Sequence, residues 1–462
     1  MARDLKMPVE ELPASVPRPL KVLVSAFAFS PVKGSEFGVG WDYVRAVALK
    51  HKVWVITRSI EREETEEYMR HHAGELRNVS VHYVPLKNRT INIPFREIVY
   101  GLIYRNWQQR AYRLARALDA EVDFDLIHHL NGIGFREPGY LWKLGKPFVW
   151  GPVGGMQYFP WRLRKAVPFR SRLFFLFKNL ANAWAMHADR RPRLAAAGSN
   201  CILAATSNVA EKIREVWGRD STLLCEVSAP HLEPRMPARR EPGQPLRIIW
   251  CGACDPAKTL NIVLHALRLV SDEYREWQLI AIGDGRLRKS WMELAERLGI
   301  ADRCTFTGRV PRTEVHAMMT DGHCLVQPSL YDATSTVVVE ALSYGLPVVC
   351  LDHFGFSDAV SADCGIKIPP NNLDQVIHDF AHALLALARD ENRRYAMATA
   401  SQMAALEMTF RNKEAVLEGV YRQAMAARSK DGEQSWDGRR SPYSSVEKLP
   451  DACDPPEVAI TK

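Results

Sequence analysis

The chain has 462 residues, 47% of them hydrophobic and 25% charged, with a formal net charge of +8. At roughly 150 residues per domain the length suggests about three domains, or the two of many α/β enzymes, and ordinary glycine and proline levels exclude collagen-like, disordered and coiled-coil classes. No apolar run approaches the ~20 residues that a membrane-spanning helix needs, and the opening MARDLKMPVEELP is acidic and proline-broken, unlike a secretory signal. The charge is local. Between Trp161 and Ala195, nine cations (Arg162, Arg164, Lys165, Arg170, Arg172, Lys178, Arg190, Arg191 and Arg193) stand against the single acid Asp189, and the rest of the chain balances to neutrality.

In chain order, KVLVSAFAF from Lys21 reads as a strand, followed by a glycine-rich turn, a helix around Trp41–Leu49 and the strand VWVIT at Val53. VSVHYVP near Val79, DLIHHL at Asp125 and PFVWG at Pro147 continue as strands, with REIVYGLIYRNWQQRAYRLARAL as a helix among them. Strands alternating with helices predict a parallel sheet covered on both faces. From Ala229 to Pro245 the five prolines of APHLEPRMPARREPGQP break both helix and interior strand and predict a linker. The alternation then restarts: RIIWCG, a helix from about Lys258, QLIAIGDG, a helix around Lys289–Leu298, CTFTG, a short helix near Val315, HCLVQPS, a helix near Thr336–Tyr344, and PVVCLD.

The expected organisation is therefore α/β, with a Rossmann-like domain over 1–228, a linker over 229–245 and a second Rossmann-like domain over 246–410. A helix over 411–428 returns to the first domain, and a tail over 429–462 lacks periodicity and reads as disordered. Two such halves imply a central cleft between them. The nine cysteines are scattered, several in apolar strand-like runs (Cys201, Cys251, Cys324, Cys350), which suits a reducing, cytoplasmic compartment. The pair Cys251 and Cys254 has no second pair at zinc spacing, so no metal is expected there.

The sharpest local signal is QPSLYDATSTVVVEALSYGLPVVCLD: a strand, a polar turn, and a helix that Ser335 or Thr334 can cap and Gly345 can end. Asp332 precedes this helix and Glu340 lies on it. The helix start offers amides to an anion, at Ser335 and Thr336, while two carboxylates accept from hydroxyls, which suits a phosphorylated, hydroxyl-rich ligand such as a nucleotide-sugar. Pro328-Ser329, Asp332, Glu340-Ala341, Gly345, Pro347 and Val348 resemble the signature of the GT4-type, group 1 retaining glycosyltransferases, whose fold is GT-B: two Rossmann-like domains facing a central cleft. That family has Glu at the first acid, so Asp332 keeps the charge with a shorter reach. The resemblance implies that Asp332 touches hydroxyls of the donor sugar and Glu340 the ribose.

In the same half Gly283-Asp284-Gly285 resembles the family's Gly-x-Gly turn, and Gly308-Arg309-Val310 the loop whose backbone reads the nucleotide base. Lys258 matches one of two cations that clamp the diphosphate in the family. Ala253 stands where the other, an arginine, is expected, and Thr259 where the family has glycine. In the first half, Gly34, Ser35 and Gly38 resemble the family's glycine-rich loop, which lets backbone approach a ligand. Asp125-Leu126-Ile127-His128-His129 resembles its strand-end histidine segment, which implies one imidazole beside the donor sugar. The two rings point to opposite faces, so one lines the cleft; position favours His128, and His129 stays open. Asp123-Phe124-Asp125 mimics a metal-binding D-x-D but sits where an acid closes a turn, and Gly151-Pro152-Val153-Gly154-Gly155 reads as another tight turn facing the cleft.

The basic segment remains. Phe169, Leu173, Leu176, Phe177, Leu180 and Trp184 recur at helical spacing beside the cations, a pattern that fits either an anionic membrane surface or a face packed into the first domain. No nucleic-acid motif accompanies it. The resemblance implies a retaining glycosyltransferase that moves a sugar from a nucleotide-sugar, its co-substrate, to a hydroxyl of a glycan or lipid-linked acceptor in surface polysaccharide synthesis. It needs no metal or other cofactor, and works in the cytoplasm or at the cytoplasmic face of the membrane. Ala253 and Asp332 motivate the alternative, a non-catalytic GT-B protein that binds a sugar or nucleotide.

Overall fold

The computed structural model describes residues 18–434 except 35, 73, 75, 87–95, 131, 133 and 231–235, and describes no side chains at 96–99 and 428–434. The acidic start, Ser35, part of the proline-rich segment and the tail beyond 434 lie outside the described residues.

The first half runs β1 (Lys21–Ser25), α1 (Glu36–Ala48), β2 (Lys52–Arg58), α2 (Arg62–His71), β3 (Val79–Val84), α3 (Arg96–Val122), β4 (Leu126–His129) and β5 (Phe148–Val153). It continues through α4 (Phe169–His187), α5 (Arg190–Ala197), β6 (Cys201–Ala204), α6 (Ser207–Trp217) and β7 (Thr222–Leu223). The second half runs β8 (Leu246–Cys251), α7 (Leu260–Glu273), β9 (Trp277–Ile282), α8 (Arg288–Arg297), β10 (Cys304–Gly308) and α9 (Arg312–Thr320). After these come β11 (Cys324–Gln327), α10 (Thr336–Ser343), β12 (Val348–Leu351), α11 (Gly355–Ala359), β13 (Gly365–Ile368), α12 (Leu373–Arg389), α13 (Glu391–Glu407) and α14 (Phe410–Gln434).

The strands form two parallel sheets, ordered β3-β2-β1-β4-β5-β6-β7 and β10-β9-β8-β11-β12-β13. In each the order reverses beside the first strand, so the loops leaving β1 and β4, and those leaving β8 and β11, open a crevice at the strand C-terminal ends. Both sheets are apolar on both faces because helices cover both, which is why strands such as Val22–Val24 and Val348–Leu351 are buried without polar alternation. β6, β7 and β13 are not identified from sequence; they are two to four residues long and fall between stronger helical patterns.

Three segments depart from simple halves. The turn expected at Gly151–Gly155 begins as strand: β5 continues through a cis Gly151-Pro152 bond to Val153, with a register shift that a side chain at Gly151 would block, its Cβ lying 2.3 Å from Leu203 O. Before and within α4, Phe159, Leu163, Val167 and Phe175 join the core of the second sheet, and Asn261 Nδ2 donates to Ala166 O at 3.0 Å. The proline-rich segment lies against the second domain, where Arg394 Nη2 donates to Ala238 O at 2.7 Å and Arg240 N to Glu391 Oε1 at 2.9 Å. Finally α14 packs on α1, and Leu417, Val420, Tyr421 and Ala424 enter the core of the first domain.

Candidate functional site

The floor of the crevice in the second domain is made by three loops that touch backbone to backbone. Gly252 N donates to Ile282 O at 3.0 Å, Cys254 N to Asp284 O at 3.0 Å and Gly283 N to Gly308 O at 2.9 Å. This lacing demands glycine: Gly283 has φ +130 and a Cβ there would stand 1.9 Å from Gly252 O, while Gly285 has φ +155 with a Cβ 2.8 Å from Cys254 O. Gly34 and Gly38 are different. Neither has positive φ, and a Cβ at Gly34 would meet Arg312 Nη1 at an ordinary 3.8 Å.

Lys258 ends a short 3-10 turn after β8 and pairs with Asp332 from the loop after β11. Thr259, which follows it, takes a left-handed φ of +36, a conformation that favours glycine. Its Oγ1 donates to Pro328 O at 2.7 Å, and Leu330 N donates to Ala257 O at 2.7 Å, so the loops carrying the lysine and the aspartate are tied together. Ser335 occupies the N-cap position of α10 without capping; its Oγ accepts from Gln327 Nε2 at 3.2 Å, leaving the helix start at Thr336 without a side-chain cap. Gly345, at φ +73, ends the helix as expected from its place before Pro347.

Glu340 projects from α10 and accepts from Arg312 Nη2 at 2.9 Å. Burial raises the Glu340 carboxyl above its usual range and the guanidinium opposes the shift. The Cys251 thiol at the end of β8 lies in the fields of both Glu340 and Lys258, the Lys258 stem runs beside Gly252, and Gly34 of the first domain lies beside Arg312. Cys251 and Cys254 are held as neutral thiols by burial, pushed up to about 12 and about 11. Arg309 is exposed, and Val310 is half-buried against the second-domain core.

Both histidines at the end of β4 face away from this space. His128 is buried, with Nδ1 at 2.8 Å from Tyr421 Oη of α14 and Nε2 at 2.8 Å from Gly151 O. His129 is buried on the other face, its Cε1 close to Gly139, and neither ring nitrogen has a partner among the described residues. Burial holds His128 down at about 4 and His129 at about 3, so both rings are neutral. The expectation that one of them lines the cleft is therefore corrected: both are buried within the first domain, His128 against α14 and His129 beside Gly139. Asp123 and Asp125 are also structural. Asp123 pairs with Lys146, and Asp125 accepts from Lys21 N at 2.8 Å and Arg18 Nη2 at 2.7 Å. No group of three metal-ligating side chains is gathered among the described residues.

Four residues that the motifs do not mark border the site. Arg312 begins α9. Tyr331, beside Asp332, is held by Lys178 Nζ over its ring at 4.1 Å and by Phe175 of α4. His353 Nε2 lies 2.7 Å from Ser329 O, and burial lowers the ring to about 4 against that bond. Glu226 is fully buried where the chain passes from one domain to the other; its Oε1 accepts from Thr334 N at 3.1 Å, and Oε2 has no partner among the described residues. Burial pushes its carboxyl up to about 7. Lys413 of α14, itself buried, donates to the carbonyls of Cys225 and Val227 on either side. Next to His353, a cavity of about 400 Å³ between the domains is lined by Met156, Gln157, Tyr158, Ser207, Asn208 and Asp352. Ser207 N donates across it to Asp358 at 2.8 Å.

Two parallel Rossmann-like sheets facing such a crevice define a GT-B protein. The chain is similar in fold to Anabaena Alr3699/HepE, a structure in complex with UDP and glucose, at a TM-score of 0.55 and 14% identity over 86% of this chain and 99% of that one. Residues 234–402, within the second half of the chain, match the family model of glycosyl transferases group 1. Among curated relatives, 2-deoxystreptamine glucosyltransferase of Streptomyces kanamyceticus is 25% identical over 171 residues, which are 37% of this chain and 42% of that protein. O-antigen chain mannosyltransferase B of Escherichia coli is 29% identical over 178 residues, 36% of this chain and 45% of that protein. The chain thus spans less than half the length of these relatives.

Proposed function

We propose that the protein is a retaining glycosyltransferase that moves a sugar from a nucleotide-sugar to a hydroxyl of a glycan or lipid-linked acceptor in surface polysaccharide synthesis. The observation that carries this reading is that Lys258 pairs with Asp332 and Arg312 with Glu340 on the glycine-laced loops and α10 of the matched family domain. Lys258 supplies one cation for the diphosphate. Arg312, reached from the first domain's Gly34 loop, stands in for the arginine missing at Ala253. Asp332 accepts from sugar hydroxyls and Glu340 from the ribose, while the uncapped start of α10 faces the anion. The acceptor enters by the interdomain cavity beside His353.

In the step itself the bond from the anomeric carbon to the phosphate oxygen breaks, and a bond to the acceptor oxygen forms on the same face. The acceptor proton passes to the departing phosphate. Stabilising that developing charge is the main electrostatic demand, and donors placed in advance where it appears contribute on the order of 3 kcal/mol each. No protein base and no metal enters this scheme, and neither buried histidine is needed. That HepE was solved with UDP and glucose, and that the relatives above are named as sugar transferases, supports a nucleotide-sugar donor. The reaction is placed in the cytoplasm, at the membrane face where lipid-linked acceptors lie.

The test is a thermal-shift screen over nucleotide-sugars, since a ligand that binds the folded state raises its melting temperature, followed by release of nucleotide from the hit in the presence of acceptor glycans. Glu340→Ala is expected to abolish release with the fold intact. Binding without release from any donor would favour the non-catalytic alternative, and unchanged turnover in the variant would remove Glu340 from the site.

A further inference from the structure

The six apolar residues that recur along α4 resolve into one uncovered stripe. Phe169, Leu173, Leu176, Phe177, Leu180 and Trp184 fall within about 100° of one another around the helix, and each is 37% to 68% exposed. The opposite face, with Phe175, Asn182 and Met186, is the packed one. Of the two arrangements the sequence leaves open, the structure therefore presents the bulky face to the outside. At about 1.5 Å per residue the stripe lies along a helix of about 28 Å.

Cations surround it. Arg170 and Arg172 fall on either side of the stripe by helical spacing. Arg162, Arg164 and Lys165 are exposed in the turn before the helix, and Arg190 and Arg193 just beyond its end. The segment's one acid, Asp189, is engaged by Arg191, which also reaches Glu137. Among the described residues none of Arg162, Arg164, Lys165, Arg170, Arg190 and Arg193 has a carboxylate within ion-pair distance, so their charge is open to an external anion.

An occupant of this surface must be apolar along the centre and anionic around it. A second copy of the chain, pairing stripe to stripe, would set two such rings of like charge against each other. We infer that α4 and the turn before it dock on an anionic bilayer, with the aromatic stripe in the acyl boundary and the arginines among the headgroups. The inner side of the same helix holds Tyr331, next to Asp332, so the docking face and the donor loop lie on two sides of one element. The inference concerns a surface and stands whether or not the proposed reaction is right.

The experiment is co-sedimentation of the full chain with vesicles of phosphatidylcholine alone or mixed with phosphatidylglycerol, at low salt. The wild type is expected to pellet with the mixed vesicles only, and to be released as salt shortens the screening length. Two variants carry the test: Phe169→Ser/Phe177→Ser/Trp184→Ser and Arg162→Ser/Arg164→Ser/Arg170→Ser. Because all six side chains are exposed, both should melt as the wild type does, and each should weaken vesicle binding by about tenfold or more. A wild type that stays in the supernatant, or variants that bind as it does, overturns the inference. So does a dimer in sedimentation velocity that the apolar variant dissolves, which would make a second copy the occupant.

Discussion

Gly283→Ala puts the backbone lacing of the site to a direct test. The added Cβ would stand 1.9 Å from Gly252 O and 3.0 Å from the Gly252 carbonyl carbon, with no flexible side chain to give way. Relief requires the β8 and β9 loops to part by about 1 Å or more, which lengthens the Gly252–Ile282 and Gly283–Gly308 hydrogen bonds, both of about 3 Å. The residue would also have to hold φ +130, which costs an L-amino acid about 1–3 kcal/mol. With the two lengthened hydrogen bonds together costing about 1 kcal/mol, a loss near 3 kcal/mol is expected. For a domain of this size that lowers the melting temperature by about 6–12 °C. Gly34→Ala is the control: its Cβ meets only Arg312 Nη1 at 3.8 Å, and the melt should move by no more than about 2 °C. Calorimetry of the full chain reads both. Equal melting of Gly283→Ala and wild type would refute the claim that the loops need glycine here.

Two further predictions concern pH. The Glu226 carboxyl is raised to about 7 in the fold against an ordinary value near 4.5, so the folded state binds the extra proton between those values and stability falls as pH rises through them. Glu226→Gln keeps an acceptor for Thr334 N without the charge; in denaturant titrations it should match the wild type near pH 4.5 and exceed it at pH 8 by on the order of 2–3 kcal/mol. A variant weaker than wild type at pH 8 would contradict this. For His129, held at about 3 in the fold against about 6.5 unfolded, the unfolded chain binds more protons between those values, so stability falls as pH drops below 6.5. His129→Leu should flatten that slope, gaining about 2 kcal/mol relative to wild type at pH 5; an unchanged slope would show that the ring is not the group responsible.

The parallel sheets were legible because their strands are short apolar runs between helical periods, a pattern that survives even where β9 ends in the Gly283 turn. Asp332 and Glu340 were legible because they stand close together in one motif before and on α10, and Lys258 from the family resemblance of its own loop. What escaped depends on contacts between distant segments. Arg312 meets Glu340 from another helix, and Glu226 reaches Thr334 across the whole of β8 to β11. The histidines misled for a related reason: a strand covered on both faces gives its last residues to the core in either direction, and alternation alone cannot tell a helix-covered face from an open crevice. In α4 the apolar period was plain, but which side of the helix the body of the protein takes is decided by Phe159, Leu163 and Tyr331, none of them on the helix.

Each of the two cations at the crevice has an acid of this chain as its partner. Lys258 already has Asp332, and Arg312 already has Glu340. In the proposed reaction the donor would therefore bind by exchange of partners: its phosphates would take the two cations, and the two carboxylates, set free, would need hydroxyl donors in return. A bare phosphate performs half of that exchange and strands two acids, one of them largely buried. A sugar without phosphate offers hydroxyls to acids that are still engaged. Under the proposed function, only a molecule carrying both ends would close the exchange, and the pairing of the two cations with the two acids would itself select for a phosphorylated polyol.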